Sequence, residues 1–332
     1  MPRKRYYLYA MPPGTPTKTL DFRPAGEDFA RFLADVRTAE LPDEPMDPPG
    51  VELWLRNDHT VFRSYVAHAG GAPAGYALSE HNQWEAAPDR VVWLYCGLLP
   101  DHRTPDGLAA AYQFLEEQAR TDGGRVAMVY IREDDAQALE AVAKIGYSED
   151  RRERFWELDL RADPDRLRQL AEGSRERMRR AGIVITTLAS DQDPERYLKT
   201  HEMANAAEQD IPTSDTIVPD SFEYFMEWVR SPNLHQDRFW IARAGDEVVG
   251  LSTLSYPVER GIVSTDFTCV ARSRRGLGIA RALKLETIVQ AIDLDVDRVR
   301  TDNDFRNAPI LHLNEDLGYQ HVFDWIKLAR EL

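Results

Sequence analysis

A chain of 332 residues with 43% hydrophobic and 10% aromatic side chains is long enough for two domains of ordinary size, each with a core. Its formal charge of −15 argues against nonspecific nucleic-acid binding, which needs a basic footprint, and is compatible with a cationic small-molecule substrate. No apolar run approaches a membrane span, and the basic start MPRKRYYLYAMPPG lacks the apolar core of a secretory leader. The two cysteines, Cys96 and Cys269, lie in strand-like runs, so a reducing, cytoplasmic setting is expected, with no membrane partner.

In chain order, alternation and helical spacing predict a strand at Thr19–Phe22, a helix at Glu27–Val36 and a Pro-rich loop at Leu41–Gly50. Strands follow at Thr60–His68, Ala74–Leu78 and Val91–Leu98, then a helix at Gly107–Arg120, a strand at Arg125–Ile131, a helix at Asp134–Lys144 and a strand at Arg154–Leu160. The charged stretch Asp163–Arg180 reads as a connecting helix. The second half predicts a strand at Ile183–Leu188, helices at Glu195–Glu208 and Ser221–Val229, and strands at Arg238–Ala242, Val248–Tyr256 and Gly261–Val270. A helix from Ile279, a strand at Arg298–Thr301, a helix at Ala308–Leu317 and a strand at His321–Leu328 complete it.

The order of elements nearly repeats. Ala69-Gly70 with Gly75 matches Ala244-Gly245 with Gly250, and Ile145-Gly146-Tyr147 matches Leu317-Gly318-Tyr319 at almost the same offset. The chain therefore reads as an internal duplication of a mixed α/β domain. The expected divisions are 1–161, a connector at 162–181, and 182–332.

The stretch Asp266-Phe267-Thr268-Cys269-Val270 is strand-like and runs through Arg272-Ser273-Arg274-Arg275 into Gly276, Gly278 and Ala280 before the helix. A helix N-terminus entered through glycines is a place to hold an anion, because its first amides point outward and the dipole favours negative charge. Arg272, Arg274 and Arg275 set mobile positive charge at its rim.

Here Arg275-Gly276-Leu277-Gly278-Ile279-Ala280 resembles the Arg/Gln-x-x-Gly-x-Gly/Ala signature of the GNAT superfamily of acyl-CoA-dependent N-acyltransferases. Thr301-Asp302-Asn303, Asn307-Ala308-Pro309 and Leu317-Gly318-Tyr319 look like the strand, helix and closing Gly-Phe/Tyr that follow it in that family. The whole chain looks like a tandem GNAT protein, an arrangement also found in mycothiol synthase. The resemblance implies acetyl-CoA as acyl donor, with its pyrophosphate on the amides of Arg275 through Ala280. Cys269 and Val270 would run along the pantetheine arm, Val270 pairing with it through its backbone, and Asn303 and Asn307 would lie along the cofactor.

The matching N-terminal stretch, His102-Arg103-Thr104-Pro105-Asp106-Gly107, departs from this pattern. Pro105 removes an amide donor, and Asp106 adds negative charge where a pyrophosphate would sit. This half is expected to be a degenerate domain that binds acyl-CoA poorly or not at all and serves as scaffold or as part of the acceptor wall.

Acyl transfer to an amine needs a neutral amine, a donor for the oxyanion and a departing thiol. Many family members place a tyrosine acid four residues before the closing glycine; here that position is Asn314, which donates a hydrogen bond but has no titratable proton. Asp266 shares a strand face with Thr268 and Val270 and is a candidate base, as are Glu208 and Asp210 near the end of the first C-terminal helix. His201 on that helix reads as packing, and Cys269 in an apolar strand as inert. The acidic run at 293–297 lacks the glycine of a calcium loop, and the eight histidines show no ligand spacing, so no metal is expected. The expected function is acetylation of a small-molecule amine by direct attack, in a monomer or homodimer with no nucleic-acid partner. Mycothiol synthase-like acetylation of a cysteinyl pseudodisaccharide and a catalytically weak acyl-CoA-binding regulatory module are the alternatives.

Overall fold

The computed structural model describes residues 19–57 and 59–332, so most of the basic N-terminus lies outside it. The first half contains β1 (Leu20–Pro24), α1 (Phe29–Glu40), α2 (Pro48–Trp54), β2 (Thr60–Ala69), β3 (Ala72–Asn82) and β4 (Val91–Leu98). It continues with α3 (Pro105–Thr121), β5 (Val126–Arg132), α4 (Ala136–Lys144) and β6 (Ser148–Asp159). The second half contains α5 (Pro164–Arg180), β7 (Ile183–Thr187), α6 (Arg196–Glu208), α7 (Phe222–Val229), β8 (Trp240–Ala244) and β9 (Glu247–Ser255). It ends with β10 (Ser264–Val270), α8 (Ile279–Asp293), β11 (Arg298–Asp304), α9 (Ala308–Leu317) and β12 (Gln320–Glu331). The mixed α/β expectation is borne out. The helix α2 starts inside the expected Pro-rich loop, with its prolines in the first turn, where a missing amide costs nothing. Among the described residues, no helix is long and apolar enough to cross a membrane.

The chain forms two compact units, but they do not divide at 161. The first holds the residues up to Arg152 with Ser214–Thr216 and Asp324–Leu332; the second holds Glu153–Thr213 and Ile217–Phe323. Strand order is β1-β2-β3-β4-β5-β12 in the first and β6-β11-β10-β9-β8-β7 in the second. The register runs from Trp325↔Arg132 to Glu331↔Val126 in one and from Glu153↔Asp304 to Asp159↔Arg298 in the other. Each half thus lends its last strand to the other half's unit. Alternating hydrophobicity marks a strand without saying which edge it joins, so the sequence boundary falls too late. The expected connector is part of the second unit: Leu167 and Ala171 pack with Leu285 and Ile288, and Met178 with Ile279 and Leu283.

Within each unit, one pair of parallel strands parts early. β4 and β5 pair only from Val91↔Val126 to Trp93↔Met128, and β10 and β11 only at Ser264↔Arg300. The glycine frame has a packing cause. Gly75 pairs with Leu98 and Gly250 with Val270. A Cβ on Gly75 would stand 2.1 Å from the Gly97 carbonyl oxygen, and one on Gly250 3.0 Å from Leu283 of α8.

Truncation after Phe323 tests the strand exchange. It removes Ile326 and Leu328 from the first unit's core, about 1.5–3 kcal/mol each by burial. Hydrogen exchange in Val126–Arg132 should accelerate, because β5 loses its antiparallel partner; unchanged protection would contradict the exchange.

Candidate active site

At the end of β10 the chain makes a tight turn over Arg272–Arg274 and enters α8 through Gly276 and Gly278, at φ +77° and +89°. Only glycine takes these left-handed values without strain. No side chain caps α8, so the amides of its first turn have no internal acceptor. Arg177, near the end of α5, completes the surroundings: its guanidinium carbon would lie 3.4 Å from a Cβ on Gly278. An exposed arginine at a helix N-terminus adds to the field that draws an anion there. Reading α5 as a connector hid this residue, although the arginine-rich end of the helix was visible.

The expected cofactor-side residues divide by role. The Ile279 side chain is core, packed with Val249, Val270 and Leu283, so only its amide belongs to the turn. Leu277 is exposed and Ala280 half-buried. Arg275 is a brace: its Nε donates to the Val270 carbonyl at 3.1 Å, and its guanidinium pairs with Asp210 at 2.7 Å. Arg272 pairs with the same carboxylate. Asp210 is therefore committed to holding the turn against the end of α6. Arg274 reaches Glu247 at 3.5 Å, an exposed pair of little energetic weight.

The equivalent place in the first unit is closed on itself. Thr104 caps α3 by accepting from the Gly107 amide at 3.1 Å, and Pro105 has no amide to offer. Leu98, which stands where Val270 stands, donates its amide at 3.0 Å to the buried carboxylate of Glu40. Arg103 donates to the same oxygen at 2.9 Å and also binds Asp135 and Gln137. Burial outweighs the nearby Arg37 and Arg103 and pushes the Glu40 carboxyl up. Glu40 ends α1 as Glu208 ends α6. It reaches the strand because Gly97 leaves room, since a Cβ there would stand 2.5 Å from the Glu40 carboxylate. In the second unit the corresponding residue is Cys269. Sequence comparison found the altered turn but not this internal carboxylate, because helix-end acids are ordinary on a surface.

On the far side of β10 lie the expected acids. The Glu208 carboxyl is pushed up to about 7, first by burial and then by the charge of Asp220. Asp266 is the extra residue of a bulge, where the register on β9 shifts between Thr265 and Phe267. The residue is exposed and accepts from Trp228 Nε1 at 2.8 Å, a hydrogen bond that favours its charged form. Among the described residues, neither acid forms an ion pair with a cation. Cys269 packs toward Met203, Sγ to Sδ 3.8 Å, and burial with the neighbouring Glu208 charge lifts its thiol to about 12, so it is no nucleophile at neutral pH. His201 is held at the Asp220 carbonyl at 2.9 Å among Phe222 and Phe225, as a packing residue.

The asparagines are not grouped as expected. Asn314 is fully buried and donates to Asn303 Oδ1 at 2.7 Å, while Asn307 stands at the start of α9 without capping it. One buried charge escaped the sequence reading. Lys284 follows Ala280 by one helical turn on the buried face of α8, with its ammonium 5.1 Å from the centre of the Tyr319 ring. A lysine between Leu283 and Leu285, in line with Ile288, was the available signal.

Comparison with known proteins agrees with this geometry. Residues 201–319 match the model of the acetyltransferase (GNAT) family. No curated protein matches the chain. Among solved structures, it is similar to a tandem GNAT protein from the clavulanic acid biosynthesis pathway. That similarity is 17% identity over 94% of this chain and 98% of the other, with a TM-score of 0.70. A GCN5-related N-acetyltransferase from Sphaerobacter thermophilus is 19% identical over 94% and 95% of the two chains, with a TM-score of 0.64. Residues 201–319 of the second unit are thus similar to GNAT acetyltransferases, and the chain as a whole has the fold of a tandem GNAT protein.

Glu40→Ala would leave the Leu98 amide unmet and Arg103 short of one buried partner. The full-length protein should lose about 3 kcal/mol in urea unfolding, the range for breaking a buried pair by removing one member. A change under about 0.5 kcal/mol, typical of surface sites, would contradict the role given to Glu40.

Proposed function

We propose that the C-terminal unit transfers the acetyl group of acetyl-CoA to a primary amine of a small molecule. The observation that carries this reading is the contrast between the two units. The turn before α8 is uncapped, glycine-lined and flanked by Arg177, and β10 beyond Ser264 has no partner on β11; in the first unit the same amides are met from within. The residues fit the group: the amides from Arg275 to Ala280 would hold the pyrophosphate, and the free edge of β10 would receive the pantetheine. When bound, acetyl-CoA supplies an activated acyl group.

The protein's own residues prepare the amine. An ammonium is drawn by the charges of Glu208 and its neighbour Asp220 and by Asp266, and it must lose a proton before it can attack. Glu208 suits this task, because a base works best with a pKa near the working pH. Asp266, held by Trp228, orients the amine. Backbone amides near Val270 would polarise the acyl carbonyl.

The sign of the pH dependence follows. Glu208 accepts a proton only when ionised, so kcat/KM for a responsive amine should fall as pH drops through about 7. Glu208→Gln should lose that limb and about a hundredfold of rate, measured over an amine panel. An intact limb in the variant would contradict the assignment. Gly278→Val together with Ala280→Val should abolish acetyl-CoA binding in titration calorimetry without unfolding the protein. Retained affinity would contradict the site.

A further inference from the structure

The proposed site has no proton donor at the position where many relatives of this fold use a tyrosine. Asn314 cannot supply a proton and is tied to Asn303. Lys284 stands close by. The residue is 2% exposed, yet among the described residues no carboxylate forms an ion pair with it, and a buried ammonium in that condition is costly.

Its surroundings place it at the point where the strands part. β10 and β11 are joined at Ser264↔Arg300. Thr265 is the next residue on β10, and Asp302 lies two residues on along β11. Lys284 faces Asp302 from β11 and the ring of Tyr319 at the start of β12. The Tyr319 hydroxyl in turn lies beside Thr265. Two buried polar atoms here, Thr265 Oγ1 and the Tyr319 hydroxyl oxygen, face each other and among the described residues meet no other hydrogen-bonding group. Polar atoms so placed beside a buried lysine mark a place built for a polar occupant rather than for packing.

We propose that Lys284 donates the proton to the sulfur of coenzyme A as it leaves. This rests on the acetyl-transfer reading of the C-terminal unit. The amine nitrogen bonds to the acetyl carbon, the carbon–sulfur bond breaks, and its electron pair stays on sulfur. The Lys284 ammonium protonates the sulfur, giving the free thiol and a neutral lysine; Glu208, having already released to solvent the proton it took from the ammonium, takes the second proton that the nitrogen loses as the amide forms. Exchange with solvent moves one proton from Glu208 back to Lys284 and resets both. Burial lowers the Lys284 ammonium to about 8, with the Asp302 charge opposing. A free thiol ionises near about 8.5, so the two are matched for proton transfer.

The test uses full-length protein and coenzyme A itself, following thiolate absorbance against pH. Bound thiol should titrate about one unit below free thiol in the wild type, because the ammonium favours the thiolate, and return to the free value in Lys284→Met. The same variant should lose about a hundredfold in kcat with little change in KM for acetyl-CoA. Its melting temperature should not fall, since an apolar side chain of similar length replaces an uncompensated charge. Lys284→Arg keeps the charge but holds its proton too tightly to give it up, so the thiol shift should persist while kcat falls. The wild type offers a check without any variant. A folded-state pKa below the unfolded 10.5 makes the buried charge a burden below about 8. That burden is relieved as pH rises toward 10.5, so Lys284 adds stability over this window and a buried neutral lysine is the form favoured there. Identical thiol titrations in wild type and Lys284→Met, with both binding coenzyme A, overturn the role of Lys284 alone. Failure of the wild type to bind coenzyme A overturns the acetyl-transfer reading and the lysine's role with it.

Discussion

One backbone event organises the functional half of this protein: β10 and β11 are hydrogen-bonded at a single residue pair and then part. Parallel strands that separate expose polar backbone, which must be met by something. The two units answer that demand differently. In the first, a glutamate at the end of α1 turns inward and satisfies the strand amide with its own carboxylate. In the second, among the described residues, no side chain takes that place, and the neighbouring helix starts without a side-chain cap after two left-handed glycines.

The divergence turns on a few side chains. Gly97 admits Glu40 to the strand in one unit, whereas Cys269 occupies the matching position in the other and Glu208 stays on the far side as a carboxyl raised toward neutrality. Arg103 holds Glu40 and Asp135; its counterpart Arg275 instead holds Asp210 and the Val270 carbonyl. The same arginine thus closes one turn and braces the other. The same framework stands in both units, but among the described residues the start of α3 is capped by Thr104 while that of α8 carries no side-chain cap.

Much of this was legible in the sequence because it depends on local rules. The strand Val91–Leu98 and the helix Ala308–Leu317 follow from alternation and helical spacing, and the open turn from its glycines. What could not be read depends on partners distant in the chain. The destination of β6 and β12 is a question of pairing, and neither strand's pattern encodes it. Arg177 and Lys284 gain meaning only when α5 packs on α8 and Tyr319 comes against Lys284. The tie between Asn314 and Asn303 likewise needs the fold, and it makes Asn314 a buried partner of Asn303.

Hydrogen exchange of the full-length protein with and without acetyl-CoA tests the central claim most directly. The account predicts slowed exchange across 265–281, from the bulge of β10 through the first turn of α8, and no change across 98–108 in the first unit. Protection of 98–108, or none in 265–281 at saturating ligand, would contradict it.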